Sequence, residues 1–316
     1  MTGRAVQEIP FAERFTKTLR ACLSMGWGTQ FFMCHYSDPA IFSVSAILRM
    51  LGRRVYTMGC SKFDDYERVL WKEFVKSVLY LPYKGGIASG IRSCDYMRFM
   101  GLRGSHVQSP YNAVSLDRIR RLAGAPSAPE GVPFAERHFT IVARLVPKKN
   151  IAMALKALAH YAAQVSNPRP LHIFGSGPLE PALREQARLD GIAELVHFRG
   201  FLQTAEISRA YGRTIALLLP SIEEQFGNVV PEAMAMGLPI ILSDNCGARD
   251  LLVRTAINGF VVEPDNPVGM AYFMRLLSDD EALWRRMCIA SQQVAERADS
   301  ERFAEAVEKL ISKAAR

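Results

Sequence analysis

Paired cysteines are missing from this sequence. Its six cysteines are scattered over 316 residues and none forms a Cys-x-x-Cys pair, so a zinc site is not predicted. The chain also lacks a run of about 18 apolar residues, and its N-terminus has no basic segment followed by an apolar one. We therefore expect no membrane-spanning helix and no secretory signal, with reduced thiols and a cytoplasmic location.

Acidic residues are scarce in the first part of the chain. Residues 1–125 carry a net charge of +9, whereas the remainder carries −1. A basic region binds nucleic acid, an anionic membrane surface or an acidic substrate. No helix-turn-helix, zinc-finger or RNA-binding motif is present, so we expect no nucleic-acid partner. We therefore expect peripheral contact with an anionic membrane. A helix predicted at residues 65–81 places Arg68, Lys72 and Lys76 on its polar side.

A Pro- and Gly-rich segment, residues 124–133, is typical of a linker between two units. After it, six short apolar strands alternate with helical patterns, which indicates a parallel sheet covered by helices on both faces. The predicted strands are residues 139–143, 171–174, 195–198, 215–219, 239–242 and 259–262. The part before the linker is also α/β, but it is about two strands too short at its beginning for a complete doubly wound domain.

The densest motif follows the fourth of these strands. The strand ends at Leu219, a loop containing Glu224 and Gly227 follows, and a helix is predicted from Asn228. Ligands of parallel sheets bind at the carboxyl ends of the strands, and a helix N-terminus there suits a phosphate. The carboxylates of Glu224 and Glu232 can accept hydrogen bonds from sugar and ribose hydroxyls. The alternative is an ordinary loop charge and a solvated helix residue.

A second motif, Arg144-Leu-Val-Pro-Lys-Lys-Asn150, follows the first strand after the linker. At the same sheet edge, a guanidinium fork and an ammonium group can neutralise a diphosphate. The alternative is an ordinary basic loop. The turn at residues 175–178, Gly-Ser-Gly-Pro, falls short of the dinucleotide fingerprint and is equally typical of a tight strand–helix connection.

Together these segments resemble the retaining glycosyltransferases of the GT-B fold, family 4 type (glycosyl transferases group 1). The resemblance runs from about Phe139 to Ala306 and places Glu224 and Glu232 on the family's E-x7-E motif. It implies two Rossmann-like doubly wound domains facing a cleft, with the N-terminal one shortened. The implied ranges are 1–133 for an acceptor-side domain with linker, 134–300 for a nucleotide-sugar domain, and 301–316 for a helix that packs back toward the N-terminal domain.

The resemblance also implies roles for individual residues. Arg144 and Lys149 hold the donor diphosphate, Glu224 contacts the donor sugar and Glu232 contacts the nucleotide ribose. Gly200 and Phe201 line the base pocket, and the remaining donor-binding candidates are Phe226, Gly227 and Asn228. No metal ion or other cofactor is expected, because Arg144 and Lys149 compensate the charge of the leaving diphosphate.

The N-terminal part departs from the family, since it has no opening strand with a glycine-rich loop. Residues 61–68 instead carry the S-K-x-D-D-x-x-R pattern of a sub-group. This makes Ser61, Asp64, Asp65 and Arg68 candidates for contacts with the acceptor. The alternative is a helix N-cap followed by acidic residues of the first turn.

The predicted activity is transfer of a sugar from a nucleotide-sugar donor, with retention, to a glycan or lipid-linked acceptor in cell-surface polysaccharide synthesis. One alternative is a catalytically impaired nucleotide-sugar-binding protein, because the N-terminal domain is shortened. Another is a sugar-nucleotide epimerase, against which the E-x7-E pattern argues.

Overall fold

The computed structural model describes residues 9–315 and contains two compact units. One lies within Met1–Tyr111 and Phe303–Arg316, and the other is Asn112–Arg302. Residues 1–8 and 316, which belong to the predicted ranges 1–133 and 301–316, lie outside the described residues. The division between Tyr111 and Asn112 precedes the Pro- and Gly-rich segment, which therefore belongs to the second unit.

The first unit begins with alternating helices and strands. These are α1 (Phe11–Leu23), β1 (Gln30–Met33), α2 (Pro39–Met50), β2 (Arg54–Gly59), α3 (Leu70–Val78), β3 (Gly85–Ala88), α4 (Ile91–Phe99) and β4 (Val107–Gln108). The predicted helix at residues 65–81 is thus confined to α3, because residues 63–65 form a separate 3-10 turn.

The second unit continues the alternation. Its elements are α5 (Leu116–Ala123), β5 (His138–Val142), α6 (Ile151–Ala162), β6 (Leu171–Phe174), α7 (Glu180–Leu189), β7 (Val196–Gly200), α8 (Thr204–Tyr211), β8 (Thr214–Leu219), α9 (Val229–Ala235), β9 (Ile240–Ser243), α10 (Arg249–Leu252), β10 (Gly259–Val262), α11 (Pro267–Asp279) and α12 (Glu281–Ala295). The last helix, α13 (Ser300–Ala315), enters the first unit at Phe303.

The sheet of the first unit has, within the described residues, four parallel strands in the order β1-β2-β3-β4. Each strand is added on the same side of the one before it, so right-handed crossovers place the connecting helices on one face. On that face Val44 of α2 and Met97 of α4 pack against Phe31 and Val55. This face therefore carries the larger core of the unit.

The opposite face of this sheet is covered by α13. Successive side chains of a strand point to opposite faces, so Phe32 and Tyr56 point away from the core that contains Phe31 and Val55. They cluster with Ile87 of β3 and with Leu310 of α13, which is fully buried. A helix from the end of the chain thus covers a face that the crossovers do not reach.

The sheet of the second unit is parallel, in the order β10-β9-β8-β5-β6-β7. The chain starts at the centre with β5, moves outward to β7, and returns to the other side of β5 with β8. This reversal defines a doubly wound sheet with helices on both faces. All six residues of β8 are accordingly buried. The predicted fold class of two parallel α/β units is confirmed, and the six predicted strands lie within one or two residues of those observed.

No helix within residues 9–315 combines the length and the apolarity needed to cross a bilayer.

Candidate functional site

The candidate site lies where the strand order of the second sheet reverses. β5 and β8 are neighbours there, and the loops that follow them meet at the carboxyl edge of the sheet. The backbone N–H of Ile222 donates to the carbonyl of Lys148 (2.9 Å), and Asn150 Nδ2 donates to the carbonyl of Pro220 (3.2 Å). These hydrogen bonds hold the two predicted motifs against each other.

Lys149 and Glu224, 75 positions apart in the sequence, form an ion pair in this loop pair. Both side chains are 14% exposed, and Ser221 Oγ donates to Glu224 Oε2 (3.4 Å). Two of the predicted site residues are therefore in contact. Because the pair is electrically neutral, neither group presents a free charge until a ligand separates them.

Arg144 and Lys149 line a cavity of about 290 Å³ at this edge. Arg144 is exposed and forms no ion pair with any residue in the described range 9–315. A guanidinium keeps its charge at all ordinary pH values. The cavity is therefore positive, which favours an anionic ligand such as a diphosphate.

The aromatic wall of the cavity comes from Phe201, which is exposed and directly follows β7. Its neighbour Gly200 has φ +72°, and the Gly200 carbonyl accepts a hydrogen bond from the N–H of Gly175 (2.7 Å). The two predicted base-pocket residues thus lie at the same sheet edge as the cationic pair.

Other residues of the cavity wall were missed by sequence reasoning. They are contributed by β5, the loop after β6, the loop after β7, α8 and α9, and include Val142, Ser176, Leu202, Ile207 and Val229. The signal that points to this loop is Gly175, which has φ +143°; a Cβ there would lie 1.9 Å from the carbonyl oxygen of Ala143. Only glycine allows the two loops to approach so closely.

Gly227 likewise allows a close approach of neighbouring groups, in the loop after β8. Its φ is +97°, and a Cβ would lie 3.1 Å from Leu219, 3.2 Å from Cys246 and 3.3 Å from Glu224. Any side chain would therefore disturb the position of Glu224 as well as strain the backbone.

The neighbours of Gly227 differ in accessibility. The Phe226 side chain is buried in the core, and its carbonyl accepts a hydrogen bond from Cys246 Sγ (2.9 Å). Asn228 is exposed, and its Oδ1 accepts from Asn112 Nδ2 (2.8 Å). α9 starts one residue later than predicted and is seven residues long. The donor-binding roles of these residues stay predictions.

Glu232 is half-buried on α9, one turn after Val229, which lines the cavity. Burial raises the pKa of the Glu232 carboxyl to about 7. Glu232 also affects Tyr211, whose pKa is raised by burial and by the charge of Glu232. Among the described side chains, the Tyr211 hydroxyl has no hydrogen-bond partner. Near neutral pH, Glu232 is therefore present in both its protonated and its ionised form.

Three of the four acceptor-side candidates, Asp64, Asp65 and Arg68, lie in an internal ion-pair network of the first unit. The ammonium group of Lys62 is 3.2 Å from Asp64 and 3.4 Å from Asp65. Asp65 is buried and accepts from the backbone N–H of Lys62 (2.9 Å), a capping contact that fits the alternative stated above. Asp64 also pairs with Arg92, and Ser61 is half-buried.

Arg68 belongs to the same network. Its guanidinium donates to the hydroxyl of Tyr96 (2.9 Å) and to Glu73 (3.3 Å). Asp64, Asp65 and Arg68 already hold this loop together through their ion pairs. The contacts of Ser61, Asp64, Asp65 and Arg68 with an acceptor stay predictions.

Replacing Glu73 with Gln should destabilise the first unit by roughly 2 kcal/mol, since hydrogen bonds to a buried charge are lost. Burial would raise the pKa of Glu73, but hydrogen bonds from Lys76, Tyr96 and Arg68 lower it below its ordinary value of 4.5. The stability difference should therefore be present above pH 4.5 and shrink as pH falls below it. Urea unfolding at several pH values measures it, and Glu67→Gln, at an exposed position, should change little.

No group of three or more His, Cys, Asp or Glu side chains suited to a metal ion is found in the part of the chain that the structure describes. The expectation that no metal ion takes part stays a prediction.

Comparison with known proteins identifies the family. Residues 128–294 match the family described as glycosyl transferases group 1. An uncharacterised glycosyltransferase of Methanocaldococcus jannaschii is 31% identical over 150 residues, 47% of this chain and 38% of that protein. A D-inositol 3-phosphate glycosyltransferase of Streptomyces bingchenggensis is 28% identical over 232 residues, 70% of this chain and 51% of that protein. The chain thus spans about half or less of these relatives.

Among solved structures, HepE of Anabaena in complex with UDP has a TM-score of 0.75 at 19% identity, covering 94% of this chain and 82% of HepE. This likeness shows the fold. The cationic cavity at the switch point and the E-x7-E spacing lie inside the matched residues 128–294, and the chain belongs to the glycosyl transferases group 1 family.

Proposed function

We propose that this chain is a retaining GT-B glycosyltransferase of family 4 type. In this proposal it transfers a sugar from a nucleotide-sugar donor to a glycan or lipid-linked acceptor in cell-surface polysaccharide synthesis, in peripheral contact with an anionic membrane. The observation that carries it is the convergence of Arg144, Lys149 and Glu224 at one edge of a doubly wound sheet. The solved HepE complexes with UDP and with UDP-glucose support a nucleotide-sugar donor.

The proposed reaction breaks the bond between the anomeric carbon and the donor diphosphate. The acceptor hydroxyl oxygen forms the new bond on the same face of the sugar, and its proton leaves with the diphosphate. Negative charge develops on the leaving diphosphate, so fixed cations stabilise the transition state. Arg144 and Lys149 supply that charge, and the proposed step therefore includes no metal ion.

The ion pair in the unliganded site gives Lys149 and Glu224 linked roles. A diphosphate in the cavity competes with the Glu224 carboxylate for the Lys149 ammonium group. When Lys149 binds phosphate, Glu224 loses its partner and its carboxylate becomes available to the hydroxyls of the donor sugar. Donor binding would thereby prepare the sugar contact.

A thermal-shift screen with UDP-, GDP- and ADP-sugars tests donor binding, because a ligand of the folded state raises its apparent stability by mass action. Product formation from a labelled form of the donor that binds then separates an enzyme from a nucleotide-sugar-binding protein. Failure of every donor to raise the unfolding temperature would contradict the proposal.

The two glutamates should respond differently to substitution by Gln. Glu224→Gln should lower turnover by more than tenfold but retain or increase affinity for the bare nucleoside diphosphate, because the competitor for Lys149 is removed. Glu232→Gln should act mainly on nucleoside diphosphate affinity, since its proposed partner is the ribose. Calorimetry with the nucleoside diphosphate measures both. The assignment is wrong if the Glu224 variant loses this affinity while the Glu232 variant keeps it.

A further inference from the structure

Helix α3 of the first unit exposes its apolar side. Its one buried side chain is Glu73, which is 2% exposed. By contrast, Leu70 is 78% exposed and Phe74 is 75% exposed. An amphipathic helix of a globular protein normally buries its apolar side and exposes its charges. α3 does the opposite.

The network around Glu73 accounts for this orientation. The Glu73 carboxylate accepts hydrogen bonds from Lys76 (2.6 Å), from the hydroxyl of Tyr96 on α4 (2.6 Å) and from Arg68 (3.3 Å). A buried carboxylate with these partners is strongly held, because removing it would take one of its two carboxylate partners from the largely buried guanidinium of Arg68. The side of α3 that is held against the protein is therefore the polar side, so its apolar side must face outward.

The outward side forms a continuous surface. At about 100° per residue, the first, second, fifth, sixth and ninth residues of the helix share one side, and the exposed Leu81 follows directly. We call this surface the α3 apolar stripe; its residues are Leu70, Trp71, Phe74, Val75, Val78 and Leu81, all exposed. An exposed apolar surface of this extent marks a site of interaction with a protein or a membrane.

A cation flanks the stripe, whereas the acidic residue of α3 is turned inward. Lys72 is exposed beside the stripe, with its Nζ 5.7 Å from the centre of the Trp71 ring. Lys72 and α3 lie within the part of the sequence that carries the net charge of +9. The surroundings of the stripe therefore favour an anionic partner.

Two of the three cations predicted to attract a membrane are not available for that purpose. Arg68 is bound to Glu73 and Tyr96, and Lys76 is bound to Glu73 and to the hydroxyl of Tyr66. The electrostatic attraction between α3 and anionic lipids is therefore weaker than the sequence predicts. Apolar burial has to supply a large part of any binding energy.

We propose that α3 binds an anionic bilayer as an interfacial helix, with the α3 apolar stripe at the boundary between headgroups and acyl chains. A basic, strongly amphipathic helix with Trp, Phe and Leu on one side lies in this plane of a membrane. Lys72 contacts the lipid phosphates. The inference rests on the membrane contact in the proposed function and is independent of the donor chemistry.

Co-sedimentation with phosphatidylcholine vesicles, with and without phosphatidylglycerol, tests the proposal. Wild type should bind the anionic vesicles, and Leu70→Ser/Phe74→Ser should reduce that binding at least tenfold. Leu189→Ser, at a 69% exposed position on α7, is the matched control and should bind as wild type does. High salt should weaken the binding of wild type without abolishing it, because part of the energy is apolar.

Tryptophan fluorescence locates the contact on α3. Trp284 is buried and Trp27 is exposed, so in the Trp27→Phe variant Trp71 is the tryptophan that a bilayer can reach. Its emission should shift to shorter wavelength when anionic vesicles are added, and brominated lipids should quench it. An unchanged spectrum would overturn the proposal, even if the protein sediments with the vesicles.

Three further outcomes have defined meanings. If the Leu70→Ser/Phe74→Ser variant keeps the unfolding temperature of wild type and binds vesicles equally well, the stripe is not the contact. If wild type binds no vesicles and is a dimer that this variant breaks, the stripe is covered by a second copy of the chain and the proposal is wrong. Calorimetry with the nucleoside diphosphate tests the cavity of the second unit, whereas α3 belongs to the first. Failure of donor binding would therefore reject the proposed enzyme while leaving the vesicle result intact.

Discussion

The Arg144→Ala variant is expected to bind the nucleoside diphosphate about ten- to over a hundredfold more weakly than wild type. Loss of a hydrogen bond to a charged group costs roughly 1.5–3 kcal/mol, and each 1.4 kcal/mol is about tenfold in affinity. Arg144 lines the cavity and has no ion-pair partner among residues 9–315, so its charge is fully available to the ligand. Turnover should fall at least as far, because charge on the leaving group grows in the transition state.

Lys149→Ala should reduce affinity less than Arg144→Ala does. In the free protein the Lys149 ammonium group is already paired with Glu224, and that pair has to be broken before a phosphate is bound. The same substitution leaves the Glu224 carboxylate without its partner, which adds repulsion between it and the diphosphate. The double variant Lys149→Ala/Glu224→Gln removes that repulsion and should recover part of the lost affinity.

Lys148→Ala is the matched control for both cationic residues. Lys148 is exposed in the same loop, and it contacts the loop after β8 through its backbone carbonyl. Isothermal titration with the nucleoside diphosphate should leave this variant close to wild type. Equal losses for the three single variants would mean that general positive charge, and not the cavity, binds the ligand.

The second large effect is a pH-dependent stability difference between wild type and Glu232→Gln. Burial raises the pKa of Glu232 from 4.5 to about 7 in the folded state, which corresponds to roughly 3 kcal/mol. A raised pKa stabilises the folded protein below pH 4.5, and this contribution is lost as pH rises to 7. Gln cannot ionise, so the variant should gain stability relative to wild type over this interval and be the more stable protein at pH 8.

Urea unfolding of both proteins at pH 5 and pH 8 measures this difference, and other titrating groups cancel in the comparison. Glu194→Gln, at an exposed position on the same unit, should show no such pH dependence. An equal stability difference at the two pH values would show that Glu232 ionises at an ordinary pKa and is solvated.

Much of the second unit follows from local sequence. Six apolar strands separated by helical patterns require a parallel sheet with covered faces, and the loops after its strands must lie at one edge. Arg144 and Lys149 follow β5, and Glu224 follows β8. The sequence therefore predicted that these three residues are neighbours. Their predicted proximity depends only on chain direction in a parallel sheet, which is why a separation of 75 positions between Lys149 and Glu224 did not obscure it.

Contacts between side chains of the site were not predictable in the same way. The pairing of Lys149 with Glu224 depends on how closely Gly175 and Gly227 allow the loops to approach. The raised pKa of Glu232 depends on the packing around α9. Neither is encoded in a periodic pattern, because both arise from atoms contributed by separate strands and helices.

The sequence by itself determined the α/β class, the positions of most strands and the excess of basic residues in the first 125 positions. Helical periodicity also established that α3 is amphipathic, but it contains no information on which side is covered. That was decided by tertiary structure, in which Tyr96 of α4 and Arg68 satisfy the buried charge of Glu73. A helix packs against the protein on the side that its neighbours can bind. For α3 those neighbours bind a carboxylate, so the apolar side is left in solvent.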